Sequence, residues 1–172
     1  MLFRSATINQ IVAADVFGEA ITLSNLGYLQ LNKGRFDLAV ETLQLAWGKF
    51  QVAQKQSTAE AADCLSRLSQ VYRTQGKQNQ ALEFETMALQ TRQTLFGDNS
   101  EEVAASYNEL GLIYTLSDND LDKALEMYEK AQALYQKIHG ENHPKLAIAA
   151  INIGINYQRQ IGRAHVRTPV TL

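Results

Sequence analysis

The stretch "HGENHPK", His139–Lys145, sets two histidines around a glutamate as His-x-Glu-x-His. Two imidazoles this close can share a metal, and His-x-Glu is the pairing in which a zinc deaminase places one ligand beside its general acid–base glutamate. That chemistry also needs Pro-Cys-x-x-Cys to complete the zinc shell, and Cys64 is the sole cysteine. The same joint occurs once more without histidine, as "FGDNSEE" (Phe96–Glu102), where Phe96 aligns with His139 and Ser100 with His143. His139, Glu141 and His143 are therefore read as a joint between helices, with Asn142 as its N-cap and Pro144 in the first turn of the next helix. No metal is expected there.

Other chemistry-bearing residues point the same way. Cys64 sits among packing positions and reads as a small buried hydrophobe rather than a nucleophile. Trp47, Tyr72, Tyr114, Tyr128, Tyr135 and Tyr157 fall at helical spacing, as core residues do. The acidic turn Ser117–Asp122 lacks the glycine and the closing glutamate of a calcium loop. There is no phosphate-cradling glycine loop and no Gly-x-Ser-x-Gly elbow. No catalytic residue, cofactor or small-molecule substrate is expected.

The elements that would position such residues are helices. Ala, Leu, Gln, Glu and Lys dominate, and only Pro144 and Pro169 interrupt them. At 172 residues, 45% hydrophobic and 20% charged, the chain can build one ordinary domain or a short run of repeats. A net charge of −2 gives no electrostatic footprint for nucleic acid or an anionic membrane. The apolar runs fall far short of the ~20 residues of a membrane span, and "MLFRSATINQ" lacks a signal-peptide core. With one thiol and no disulfide, a cytoplasmic setting fits best.

A repeat runs through the sequence. "LSNLGYL", "LSRLSQVY", "YNELGLIY" and "AINIGINY" align on Gly27, Ser69, Gly111 and Gly154, at intervals of 42, 42 and 43 residues. About 12 residues after each of the first three comes an alanine pair seven apart: Ala39 and Ala46, Ala81 and Ala88, Ala124 and Ala131. Each unit then holds two helices. Helix A is predicted at roughly 18–32, 58–75, 100–117 and 144–160, and helix B at roughly 36–54, 79–95 and 121–138. "STAE" (Ser57–Glu60) reads as a capping box, and Gly97 and Gly140 as helix-ending left-handed residues. A mid-helix glycine costs ~1 kcal/mol against alanine, so its recurrence marks where a partner helix comes close.

Leu-x-x-Leu-Gly-x-x-Tyr followed by Ala-x(6)-Ala resembles the tetratricopeptide repeat. The 42-residue period, with "RQTLFGDNSEEVA" and "YQKIHGENHPKLA" between repeats, is similar to the kinesin-light-chain type. The resemblance covers roughly 18–160 and implies an all-α, right-handed solenoid of helical hairpins. It implies a non-enzymatic module that binds a protein or peptide in a concave groove lined by helix A, or else a regulatory segment of a larger enzyme, or a scaffold. Groove-facing positions carried over from the family are Ser24, Tyr28 and Leu31; Ser66, Gln70 and Arg73; Asn108, Leu112 and Thr115; and Ile151, Ile155 and Gln158. The polar middle would be Ser66, Gln70, Arg73, Asn108 and Thr115. The family's peptide-holding asparagine is matched by Asn108 alone.

The expected organisation is a partial repeat or joint at 1–17, repeats at 18–57, 58–99 and 100–143, and the first helix of a fourth at 144–160. Ala150, Ile153 and Tyr157 there occupy packing positions, and Ile148, Ile151 and Ile155 lie on another face, so this helix expects cover. Gln160–Thr171, back-translated, spells a short-read sequencing adapter with a single base changed. Residues 161–172 are accordingly expected to be translated adapter, the alternative being a natural basic tail.

Overall fold

The computed structural model describes residues 2–117 and 120–167, with side chains for 12–117 and 120–164. Among these residues the chain is seven helices and no strand: α1 (Leu2–Asn32), α2 (Phe36–Val52), α3 (Ala59–Thr74), α4 (Gln78–Phe96), α5 (Glu101–Tyr114), α6 (Leu121–His139) and α7 (Pro144–Arg167). None is long and apolar enough to cross a membrane. α1, α3, α5 and α7 are the A helices, and α2, α4 and α6 the B helices. The chain divides into two compact units, Met1–Thr91 and Arg92–Leu172.

In the first unit the recurring small residues bring the helices together. A Cβ on Gly27 would stand 2.5 Å from Leu43 Cγ on α2. Ser69 does the same work with a hydroxyl, which donates 2.9 Å to the Ala81 carbonyl on α4. Ala39, Ala46, Ala81 and Ala88 are all buried. Phe50 meets Phe17 edge-on, and Tyr72 stacks on Phe84 at 5.5 Å. Cys64 donates to the Leu43 carbonyl, and burial pushes its thiol up to about 11, consistent with a packed hydrophobe.

The second unit repeats this pattern. A Cβ on Gly111 would lie 2.5 Å from the Tyr128 ring. Ala104, Ala131 and Tyr135 form a core cluster, with Tyr107, Leu134 and Leu146 packed on it. Not every aromatic is core. Tyr114 is half-buried beneath the Lys123 ammonium, and Tyr157 is exposed.

Several boundaries differ from the sequence reading. α1 runs unbroken from Leu2 where a joint was expected before residue 18. Nothing in that stretch is a helix breaker, since it contains no proline and its first glycine is Gly18. α7 likewise continues past 160 to Arg167. The N-cap of α3 is Thr58, one residue after the expected Ser57: its hydroxyl accepts from the Ala61 N–H at 3.3 Å. Asp118 and Asn119 of the acidic turn, and residues 168–172 of the tail, lie outside the described residues.

Candidate partner-binding faces

The joint that opened the sequence question is a cap. Pro144 has no N–H and begins α7, so the residue just before it takes the capping place, and that residue is His143 rather than Asn142. Its Nδ1 accepts the Lys145 backbone N–H at 3.3 Å, as the Ser100 hydroxyl accepts from Val103 one repeat earlier. The His139 and His143 rings stack at 3.9 Å. His139 Nε2 lies 3.0 Å from Glu101 Oε2 without the alignment of a hydrogen bond. Lys145 donates to the other Glu101 oxygen, and that bond chiefly holds the Glu101 carboxyl below its usual value. Glu101 of α5 thus faces His139 of α6 and Lys145 of α7.

In the first unit, helix A residues of α1 and α3 are joined by Arg67. Its Nη1 donates to Ser24 Oγ at 2.7 Å and to Asn25 Oδ1 at 2.9 Å, and the guanidinium lies 5.1 Å from the Tyr28 ring centre. Tyr28 remains 43% exposed, while Leu31, Gln70 and Arg73 are half-buried. Ser66 is withdrawn from this face. It is 6% exposed and donates at 2.8 Å to Glu85, a fully buried carboxylate on α4.

In the second unit, α5 and α7 are joined by an amide pair, Asn152 Nδ2 donating to Asn108 Oδ1 at 2.9 Å. Leu112 is half-buried and Gln158 exposed. The Thr115 hydroxyl turns back to donate to the Leu112 carbonyl at 2.7 Å, and Arg159 donates to the Thr115 carbonyl. Ile151 and Ile155 stand 61% and 50% exposed. Beside the Asn108 amide, then, the face is apolar.

The sequence reading missed Asn25, Arg67 and Asn152. All three occupy the position two before the small residue, where Glu109 is the fourth member. A polar residue at that place in every repeat is the signal that would have found them. Helix A position for helix A position, these residues bridge neighbouring repeats.

Models of the tetratricopeptide repeat match residues 20–46, 61–102, 86–136 and 102–165. The chain belongs to the tetratricopeptide-repeat family. Among curated proteins, this tetratricopeptide chain is 24% identical over 129 residues to a clustered mitochondria protein homolog of Homo sapiens. It is 28% identical over 127 residues to the protein kinesin light chain-related 2 of Arabidopsis thaliana. These matches cover 75% and 73% of the chain but only 10% and 19% of those proteins. Among solved structures it is similar to BtubC (BKLC) from P. vanneervenii, at 31% identity and a TM-score of 0.74, covering 80% of this chain and 55% of that one. The repeats are thus of the kinesin-light-chain kind in sequence and in shape. Such repeats are protein-interaction modules, and their fold is typically non-enzymatic.

Proposed function

We propose that this tetratricopeptide chain binds an extended segment of a protein partner, or a peptide, on its helix A faces in the cytoplasm. Gln70 and Arg73 would serve in the first unit, and Asn108, Leu112 and Gln158 in the second. No nucleic acid, membrane, metal, cofactor or small-molecule substrate takes part in this reading. The observation that carries it is the second unit's exposed Ile151 and Ile155 beside the Asn108–Asn152 amide pair. Isoleucines left this open on a helix favour a covering partner. An asparagine offers both a donor and an acceptor to a backbone.

The test is selection of a binding peptide from a display library, followed by titration of variants. A net hydrogen bond contributes ~0.5–1.5 kcal/mol, so Asn108→Ala should weaken the peptide by about tenfold at most. Ile151→Asp with Ile155→Asp should abolish binding, and Glu83→Ala, on exposed α4 surface, should leave it unchanged. Loss on Glu83→Ala with normal binding by the other variants would refute the helix A reading in favour of a scaffold that packs through its B helices. A second reading is a regulatory repeat segment within a larger enzyme, the chain matching only 10% and 19% of the length of those curated relatives. Its test is the catalytic content of the uninterrupted gene.

A further inference from the structure

The outer face of α2 carries an apolar row and a glycine that nothing within the chain explains. Leu38, Leu45 and Val52 stand seven residues apart, and all three are exposed. Glu41 and Gly48 fall between them, at the alternating three- and four-residue steps that put side chains on one side of a helix. A glycine inside a helix weakens it. At Gly27 and Gly111 a side chain of the neighbouring helix fills the space, but a Cβ on Gly48 would meet no atom within 4 Å. The residues at the place of Gly48 are Gln90 in α4 and Ala133 in α6, and at the place of Leu45 they are Met87 and Lys130. The face is not a seam between hairpins. α4 follows the α1–α2 hairpin in the same unit, and there Gln80, Glu83 and Gln90, at the places of Leu38, Glu41 and Gly48, are exposed. Of the three B helices, only α2 sets exposed leucines beside an open glycine on this face.

We propose that α2 pairs antiparallel with α2 of a second copy of this chain, about a two-fold axis between Leu45 and Gly48. A two-fold contact needs a surface that complements itself, and this row does. Leu45 of each copy fills the space over the partner's Gly48, so one knob and one hole on the same helix serve both copies. Glu41 then falls opposite the partner's Val52, one turn from the partner's Lys49. Charge selects the direction. α2 is acidic toward its start, at Asp37 and Glu41, and basic in its last turn, at Lys49. Antiparallel pairing sets acid against base and aligns the helix dipoles favourably, whereas parallel pairing would set like against like. Lys49 already meets Glu19 at 2.6 Å, and Glu41 from the partner would extend that ion pair. A single helix pair is smaller than the standard interface of about 800 Å² per partner, so the association is reversible and concentration-dependent. The contact lies on a B helix and does not rest on the helix A reading.

The test is sedimentation of the full chain over a concentration series, in which the mean mass should rise from one chain toward two. Gly48→Gln and Leu45→Lys copy the residues that α4 and α6 carry at these places, Gln90 and Lys130. Each should raise the dissociation constant about tenfold or more. Gly48→Gln should not lower the melting temperature, since glutamine favours a helix more than glycine does, so its loss of pairing is separate from any loss of fold. Glu41→Lys should also weaken the dimer, more so at low salt, and Ile151→Asp on the helix A face should leave it intact. A chain that stays monomeric throughout the series, or a dimer that Gly48→Gln and Leu45→Lys leave unchanged, would overturn the proposal. Growth beyond two chains would overturn it as well, because a two-fold contact closes on itself. So would a monomeric chain whose α2 face is occupied by a helix of another protein.

Discussion

Asn156 should be the weakest residue in the second unit, and replacing it with valine should stabilise the chain. It is fully buried on α7, and neither Oδ1 nor Nδ2 has a hydrogen-bond partner. The equivalent positions one and two repeats earlier are Ile113 and Val71, both fully buried and apolar. In the first A helix the equivalent Leu29 is 48% exposed. An unsatisfied buried polar group costs about 1–3 kcal/mol, and burying a valine side chain contributes about 1.5–3 kcal/mol. Valine and asparagine are matched in helix propensity. Fitting a branched side chain into a space shaped for asparagine takes back part of this gain, as overpacking does. The net expectation for Asn156→Val is about 1–3 kcal/mol of added stability, or roughly 2–10 °C in Tm for a chain of this size. Urea titration followed by circular dichroism, at matched m-value, measures it. A lowered midpoint for Asn156→Val, with Asn156→Asp no worse than wild type at neutral pH, would mean that the amide is satisfied after all.

Gly111→Leu should cost about 1–3 kcal/mol or more, because its Cβ alone would sit 2.5 Å from the Tyr128 ring; an unchanged denaturation curve would sink the close-approach argument. Gln54→Gly should add about 0.5–1 kcal/mol: Gln54 holds φ 56° at the joint where Gly97 and Gly140 sit in later repeats, and a left-handed residue with a Cβ costs about 1–2 kcal/mol before glycine's own entropy is subtracted. Glu101, whose folded carboxyl is held low chiefly by Lys145, contributes stability that is present above the ordinary glutamate range and lost as pH falls through its lower folded value. Lys145→Gln should therefore be less stable than wild type at neutral pH, with the gap closing in acid; a gap of the same size at both ends would refute the linkage. Removal of 161–172 should move Tm by less than about 4 °C, since Ile161, Gly162 and Ala164 are all exposed, and a larger loss would show that this segment packs.

Much of the fold was legible because the repeat tests every assignment several times. The six alanines seven apart are all buried, as the close-packing argument requires, and the left-handed glycines fall at the joints. What was illegible depends on single residues whose partners lie elsewhere in the chain. Ser66 has the position of a groove residue, yet its hydroxyl meets Glu85, a buried carboxylate that no local pattern announces. His143 looked like a ligand or a bystander to Asn142. Only the start of α7 at Pro144 makes its ring nitrogen the cap. The continuity of α1 before Gly18 was missed for the opposite reason: the repeat suggested a joint where the local sequence contains nothing to break a helix.

The hydroxyls explain why the helix A faces took the character they have. Ser24, Ser66 and Thr115 stand at family groove positions, and all three hydroxyls are engaged within the chain, with Arg67, Glu85 and the Leu112 carbonyl. A short hydroxyl on a helix reaches only what lies beside it, so packing claims it before a partner can. The longer side chains at the same rank, Gln70, Arg73 and Gln158, have a longer reach than a hydroxyl, and an asparagine amide such as that of Asn108 can make more bonds than its one to Asn152. A partner would thus meet amides and an apolar isoleucine row in the second unit, against a Tyr28–Arg67 pair in the first. Because apolar contact is insensitive to salt while exposed charge is screened within about 10 Å at 0.1 M, the two faces favour different side chains. Under the proposed reading, the second unit would select by shape and backbone hydrogen bonding, and the first by a negative or aromatic group.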